Sequence, residues 1–394
     1  MFAARTNWPL TPNRLTQCIE DFRRQGRVIL DLTESNPTRC GFEFDVRGVL
    51  RALEDARSLT YEPDPRGLLH AREAVGRYYA EHSVHVSPHQ IFLTTSTSEA
   101  YSYLFRLLAD PGDRILVPRP SYPLFEFLGG LNDLELIPYP LRYHGSWEID
   151  LAALSAAGRA GQGRVRAVLV VHPNNPTGSF VSWRELEALT VLCSDQDLAL
   201  IADEVFRDYG FARDPDRVPT HAGETRVLTF TLSGLSKISA LPQMKLAWVV
   251  VSGPPELLTP ALAKLEVIAD TYLSVSAPLA NALPTLLDLR RVIQPQISKR
   301  VRENLRFLDD HVTPESPVGR LECEGGWYAI LRVPATRSDE DWAVGLLAKE
   351  QVFVHPGHFY DFESEGHLVV SLLPAPEIFQ AGISKMLNFI SRGG

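Results

Sequence analysis

The chain reads as an α/β protein built on a mainly parallel sheet, and three observations predict it. From about Ile91 to Ser252, seven short apolar runs recur, most of them separated by helical segments. The runs are almost continuous in Val, Ile, Leu and Ala, as expected of strands covered on both faces. With 394 residues, 45% of them apolar and 22% charged, the chain can also bury a sizeable core. That length predicts two to three domains, or one large α/β domain with a satellite. The predicted strands are Ile91–Thr94, Arg114–Val117, Leu134–Pro138, Ala167–His172, Leu198–Ala202, Val227–Leu232 and Leu246–Val251. The last is expected to run antiparallel, because the link from Lys237 is too short for a packed crossover helix.

Ahead of this region lies an irregular arm with a helix over Leu15–Gln25, closed by Gly26, and a strand over Val28–Leu32. The strand runs into a small polar turn, Thr33-Glu34-Ser35-Asn36-Pro37. Tyr61–Gly67 is rich in turn residues and precedes a helix over Leu68–Glu81. After the first sheet strand, Thr95-Ser96-Thr97-Ser98-Glu99 opens a helix in which Ser96 and Glu99 have capping-box spacing. The exposed N–H groups of such a helix start suit a phosphate, although the same pattern serves as an ordinary cap. Pro118-Arg119-Pro120-Ser121-Tyr122-Pro123 sets an aromatic ring at a strand's carboxyl end, where it can stack on a flat ligand or simply pack. His172-Pro173-Asn174-Asn175-Pro176-Thr177-Gly178 follows the next strand as a stiff turn carrying two amide side chains. Leu198–Ala202 then delivers Asp203 and Glu204, carboxylates that need a donor or a cation after an apolar strand.

Beyond about residue 255 helices take over, including a long polar-faced segment over Pro284–Asp310. Strands over Arg320–Cys323, Gly326–Val333, Val352–His355 and Val369–Leu373 and a helix over Pro376–Ser391 close the chain. The expected division is an N-terminal arm contributing to a small domain (1–45), a large domain (46–285) and the rest of the small domain (286–394).

Thirty-nine basic against 48 acidic side chains leave a net charge of −9, which argues against a nucleic-acid or anionic-membrane surface. Cys18, Cys40, Cys193 and Cys323 are scattered without CxxC spacing, so neither a zinc site nor a disulfide framework is expected. The N-terminus lacks an apolar signal region and no run approaches the roughly 18 residues of a membrane span. These features predict a soluble cytoplasmic protein.

Lys237, in Thr231-Leu232-Ser233-Gly234-Leu235-Ser236-Lys237, falls in a loop between two buried strands. Burying an ammonium is costly, and the chemistry that uses a desolvated lysine amine is Schiff-base formation with a carbonyl. A lone loop lysine is more often a surface residue; its company changes that reading.

Together these stretches resemble the class I/II aminotransferases, pyridoxal-phosphate enzymes of fold type I, in the family's order and over nearly the whole chain. The resemblance implies that Lys237 forms the Schiff base with pyridoxal 5'-phosphate and moves the proton at Cα. It implies that Asp203 pairs with the pyridinium nitrogen, that Asn175 donates to the phenolic oxygen and that Tyr122 stacks on the ring. The phosphate would lie at Thr97 and Ser98, with Ser236 and Lys245 adding contacts. Tyr61 would reach the phosphate of the neighbouring subunit of a homodimer, and Ser35 and Asn36 would lie over the substrate carboxylate. The implied reaction moves an amino group between an amino acid or amine and a 2-oxo acid, with β-elimination or decarboxylation on the same fold as the alternative.

Four positions depart from the family pattern. Phe206 stands where a tyrosine is usual, Gly234 replaces the first serine of S-x-S-K, and Lys245 replaces an arginine, keeping its charge and losing its fork. In Leu368-Val369-Val370-Ser371, Val369 stands where an arginine clamps the substrate carboxylate. Arg39 and His358 are weak candidates to replace it.

Overall fold

The computed structural model describes residues 1–159, 163–273 and 275–393. Its strands in chain order are β1 (Leu30–Asp31), β2 (Ile91–Thr94), β3 (Arg114–Arg119), β4 (Glu135–Tyr143), β5 (Trp147–Ile149), β6 (Val165–Val171), β7 (Ala199–Asp203), β8 (Thr229–Gly234), β9 (Ala247–Ser252), β10 (Gly319–Leu321), β11 (Tyr328–Arg332), β12 (Val352–Phe353), β13 (His355–Pro356) and β14 (His367–Ser371). Eight of these form the main sheet in the order β2-β9-β8-β7-β6-β3-β4-β5. From β4 through β3, β6 and β7 to β8 every pairing is parallel, and β9 runs antiparallel to both its neighbours, as the short link after Lys237 predicts.

The apolar runs are buried throughout, with every residue of β2, β7, β8 and β9 inside. Alternate residues feed two layers: Ile201, Leu169 and Phe230 pack under the helices Thr97–Leu108 and Pro255–Tyr272, whereas Leu200 and Val168 pack under Trp183–Gln196.

The sheet has one strand more than the sequence predicts. β4 runs past Pro138 to Tyr143 and turns back through Gly145 (φ 91°) into β5. Tyr143 and Trp147 face each other in register with ring centroids 5.2 Å apart, an aromatic cross-strand pair that secures this short edge hairpin. Three residues are too few to register as a periodic run.

The remaining differences follow from tertiary pairing. The expected strand over Val28–Leu32 shortens to Leu30–Asp31, which pairs in parallel with β12, and Val28 is exposed. The long polar segment resolves into two helices, Ala277–Asp288 and Arg290–His311. A four-stranded antiparallel sheet, β10-β11-β14-β13, forms the smaller α+β portion, and the β1–β12 pairing ties the N-terminal arm to it. The closing helix runs over Pro376–Ser391 as expected. No described helix is long and apolar enough to cross a membrane.

Candidate active site

At the carboxyl end of β8 the chain enters a one-turn helix, Leu235–Ile238, rather than the expected loop, and Lys237 lies within it. A Cβ at Gly234 would stand 2.8 Å from the Cβ of Ala247 and 3.0 Å from Leu246 O, so β9 leaves no room there for the serine of the family pattern. The Lys237 carbonyl accepts a hydrogen bond from the Tyr209 hydroxyl at 2.7 Å. Its Nζ lies 5.4 Å from the ring centroid of Phe206 and 5.0 Å from that of Trp327. Burial in this aromatic setting pulls the amine from its ordinary 10.5 down to about 8, against the opposing pull of the Asp203 charge.

Asp203 is the last residue of β7 and is 8% exposed. The Tyr101 hydroxyl donates to Oδ2 at 2.8 Å, and the Val205 N–H donates to Oδ1 at 3.1 Å. Burial raises its carboxyl to about 6; these two hydrogen bonds and the Lys237 charge hold it down and the neighbouring Glu204 pushes it up.

Glu204 points the other way, as alternation along an extended chain requires. It accepts from Thr220 Oγ1 and the His221 N–H at 2.6 Å each, and its Oε1 lies 2.9 Å from His221 Nδ1. Burial alone would raise it, but the bond from His221 and the charges of His221, His172 and Arg207 hold it at about 2. His172, Glu204 and His221 bring potential metal-ligating atoms within 4.8 Å of one another. Both His172 nitrogens are nonetheless used by backbone, Nδ1 by the Val181 N–H and Nε2 by Val218 O, so the group supports the turn from behind.

That turn holds Asn174 and Asn175. Asn174 Oδ1 accepts from Thr177 Oγ1 at 3.0 Å, whereas Asn175 is buried with an Oδ1 that has no partner among the described residues. Gly178 closes the turn at φ 71°, and a Cβ there would meet Gly325 O at 2.5 Å. Tyr122 is 44% exposed and lies edge-on to Phe125 at 6.2 Å.

The helix Thr97–Leu108 is capped by Ser96 Oγ, which accepts from the Glu99 N–H at 3.1 Å. Glu99 reaches back to the N–H of Thr95 rather than to Ser96. Thr97 and Ser98 in the first turn have no intrahelical acceptor for their N–H groups, and none is found among the described residues. Ser236 is part-buried beside Lys237, and Lys245 is exposed in a left-handed conformation (φ 49°) just before β9.

On the opposite side, the Ser35 side chain lies beside the phenol of Tyr328. Asn36 Oδ1 is taken by the N–H and hydroxyl of Thr38, and the Asn36 backbone N–H donates to Glu34 Oε1 at 2.9 Å. Val369 is 1% exposed between Ile330 and His355. Arg39 and His358 are both exposed, and no ion pair engages Arg39 among the described residues. Tyr61, 75% exposed, lines a surface cavity of about 330 Å³ together with Tyr103, Leu273 and Asn281.

Three residues at this site escape a reading of the sequence: Tyr101, Trp327 and Tyr328. Tyr101 alone carries a local signal, standing four residues after Thr97 and so on the same helix face.

Comparison with known proteins agrees with this fold. Residues 28–378 match the family described as aminotransferase class I and II. The chain is 25% identical over 377 residues to glutamate-pyruvate aminotransferase AlaA of Haemophilus influenzae, covering 93% of this chain and 92% of that protein. Over the same length it is 26% identical to alanine aminotransferase of Mycobacterium tuberculosis, covering 93% and 86%. The solved alanine aminotransferase of Pyrococcus furiosus has the same fold, with a TM-score of 0.86 at 20% identity and 100% of both chains covered. The architecture is therefore that of the fold type I transferases. The chain belongs to the class I and II aminotransferase family, and it is an aminotransferase.

Proposed function

We propose that this aminotransferase uses pyridoxal 5'-phosphate held on Lys237 and moves an amino group between an amino acid or amine and a 2-oxo acid. The observation that carries the reading is a buried, partly neutral Lys237 amine within electrostatic reach of the buried Asp203 carboxylate.

The residues present fit the cofactor. Asn175 Oδ1 has no partner among the described residues, so a half-turn of the amide presents its N–H₂ to a phenolic oxygen. The free first-turn N–H groups of Thr97 and Ser98 form an anion site, with Ser236 and the positive charge of Lys245 as further contacts. Tyr122 is open enough to cover a ring. Once bound, pyridoxal phosphate supplies the carbonyl that receives the amino group and the electron-poor ring that stabilises a carbanion at Cα. Asp203 holds the proton on the ring nitrogen, and its raised carboxyl is stabilised as an anion when a cation arrives. Lys237 Nζ, neutral for part of the time near pH 8, accepts and returns the proton at Cα. The aromatic rings of Phe206 and Trp327 line the space around that amine and limit its contact with water.

Ser35 and Asn36 cover the substrate in this reading, and two copies of the chain form a homodimer in which Tyr61 reaches the neighbouring site. The exposure of Tyr61, Leu59, Val267 and Tyr272 is consistent with a covered face. The divisions 1–45, 46–285 and 286–394 and a cytoplasmic location belong to the same proposal. The names of the relatives make alanine and glutamate the first donors to try.

The test is a donor screen on purified holoprotein followed by visible absorption. A productive donor should convert the cofactor to its amine form, and 2-oxo acid should restore it. Borohydride should fix the cofactor to Lys237, and labelling at another residue would sink the assignment.

A further inference from the structure

The aromatic residue beneath Asp203 has no assigned role. Tyr101 is 2% exposed and wedged edge-on to Phe125 at 5.4 Å and beside Phe105 at 5.9 Å. A phenol so buried needs a partner, and Asp203 Oδ2 is the partner it has. The contact spans 102 residues of chain and joins a helix to a strand end, so it is a product of the fold rather than of local geometry. Tyr101 also shares a helix face with Thr97, one turn nearer the capped end. One helix thus presents its free N–H groups to one end of the site and a phenol to the carboxylate at the other.

We propose that Tyr101 is a positioning residue for the transamination site: its hydroxyl holds the Asp203 carboxylate in the orientation and ionised form that a cationic ring nitrogen requires. This inference rests on the cofactor reading above. With Oδ2 bonded to Tyr101 and Oδ1 to the Val205 N–H, the carboxylate cannot turn about its χ2 axis without breaking both bonds. The other ionisable groups that act on it are Lys237 and Tyr122, together with the adjacent Glu204, whose carboxylate points to the opposite face. Of these only Lys237 is cationic, and in the holoenzyme its amine is committed to the cofactor. The Tyr101 hydroxyl is then the side-chain donor left to favour the anion.

Tyr101→Phe removes one oxygen and keeps the ring packing. Losing a donor to the anion should raise the Asp203 carboxyl further, so cofactor should be held less well as pH falls. The experiment measures the pyridoxal-phosphate dissociation constant of wild type and Tyr101→Phe from pH 5.5 to 8.5, together with the pH dependence of kcat. Expected is about a tenfold loss of affinity near pH 6, little loss at pH 8.5, and an acid limb of kcat moved up by about one pH unit. In an Asp203→Asn background the same substitution should change little, since the bond it removes no longer serves an anion. An affinity loss equal at all pH values, or one that adds fully to Asp203→Asn, would mark Tyr101 as packing only and overturn the inference. Wild-type protein that takes up no pyridoxal phosphate would overturn the cofactor reading as well, so the two failures are distinguishable.

Discussion

A buried lysine is a liability for folding, and its size can be worked from the structure. Burial lowers the Lys237 amine from 10.5 to about 8, which corresponds to about 3 kcal/mol at 1.36 kcal/mol per pH unit. The residue keeps a partial opening to solvent, so this is an upper figure. The sign follows from linkage. Below pH 8 the amine is charged in both folded and unfolded chains, and the folded state carries the whole penalty. Between 8 and 10.5 the folded amine is neutral while the unfolded one is still protonated, and the penalty shrinks. Above 10.5 it is gone. Lys237→Met fills similar volume without the charge, so the cofactor-free variant should be more stable than cofactor-free wild type by up to about 3 kcal/mol at pH 7. With an unfolding entropy near 2.1 cal/mol/K per residue, that is about 4 °C in Tm for a chain of this length. The assay is thermal unfolding of both proteins from pH 6.5 to 10.5. The decisive quantity is the pH dependence of the difference, because the methionine's own packing contributes equally at every pH. A difference that stays constant up to pH 10.5 would refute the claim that Lys237 is held desolvated.

Asp203→Ala should lower kcat at least 100-fold, since the charge that holds the ring-nitrogen proton acts mainly in the transition state; a steady-state rate near wild type would count against the role. Phe206→Tyr adds a hydroxyl to a ring whose centroid lies 5.4 Å from Lys237 Nζ. If that hydroxyl reaches the phenolic oxygen it favours the deprotonated form, so a spectrophotometric titration of the cofactor bound to Lys237 should shift to lower pH. No shift, or a rise, would mean the para position faces away. Arg39→Ala should selectively lose alanine and glutamate as donors while a simple primary amine is unaffected, if this exposed arginine closes over the carboxylate from the Ser35 side. Equal loss for amine and amino acids, or no loss, would exclude it.

Sequence patterns mark the residues proposed to hold the cofactor far better than those proposed to face the substrate, and the reason is geometric. Lys237, Asp203, Asn175 and Thr97 each sit at or just past the carboxyl end of a short, largely buried strand, so the end of the buried run marks the position. Tyr101 and Trp327 reach the same place from the second turn of a helix and from the loop before β11. Their signals are those of ordinary core aromatics, and only the long-range contacts with Asp203 and Lys237 distinguish them. The adjacent carboxylates Asp203 and Glu204 show the same limit: their separation onto opposite faces follows from strand alternation, but which face holds the site depends on where Tyr101, His221 and Thr220 arrive. The hairpin strand β5 escaped notice because a three-residue strand has no period to detect.

The substrate wall acquires its character from β14. Leu368 and Val370 point into the core shared with Phe379 and Ile383, whereas Val369 joins Ile330 and Tyr360 on the other face. An arginine at Val369 would therefore project where Tyr360 and its partner His355 now meet, with His355 Nδ1 3.0 Å from the Tyr360 hydroxyl. Burial lowers His355 to about 4, so the ring is neutral at pH 7 and supplies no cation in the arginine's place. Tyr328 adds a phenol beside Ser35, and Glu34 adds a carboxylate to the same turn. Such a wall offers hydroxyl groups and an uncharged imidazole, which recognise neutral or hydrogen-bonding groups and give a bare carboxylate little in return for its lost hydration. Carboxylate recognition must then come from a residue that moves in, for which Arg39, exposed and without an ion pair among the described residues, is the candidate, or the donor is selected by a group other than its α-carboxylate. Because the Asp203 and Lys237 apparatus is independent of that choice, substitutions on the wall should change which donors react while leaving the cofactor's bound spectrum unaltered.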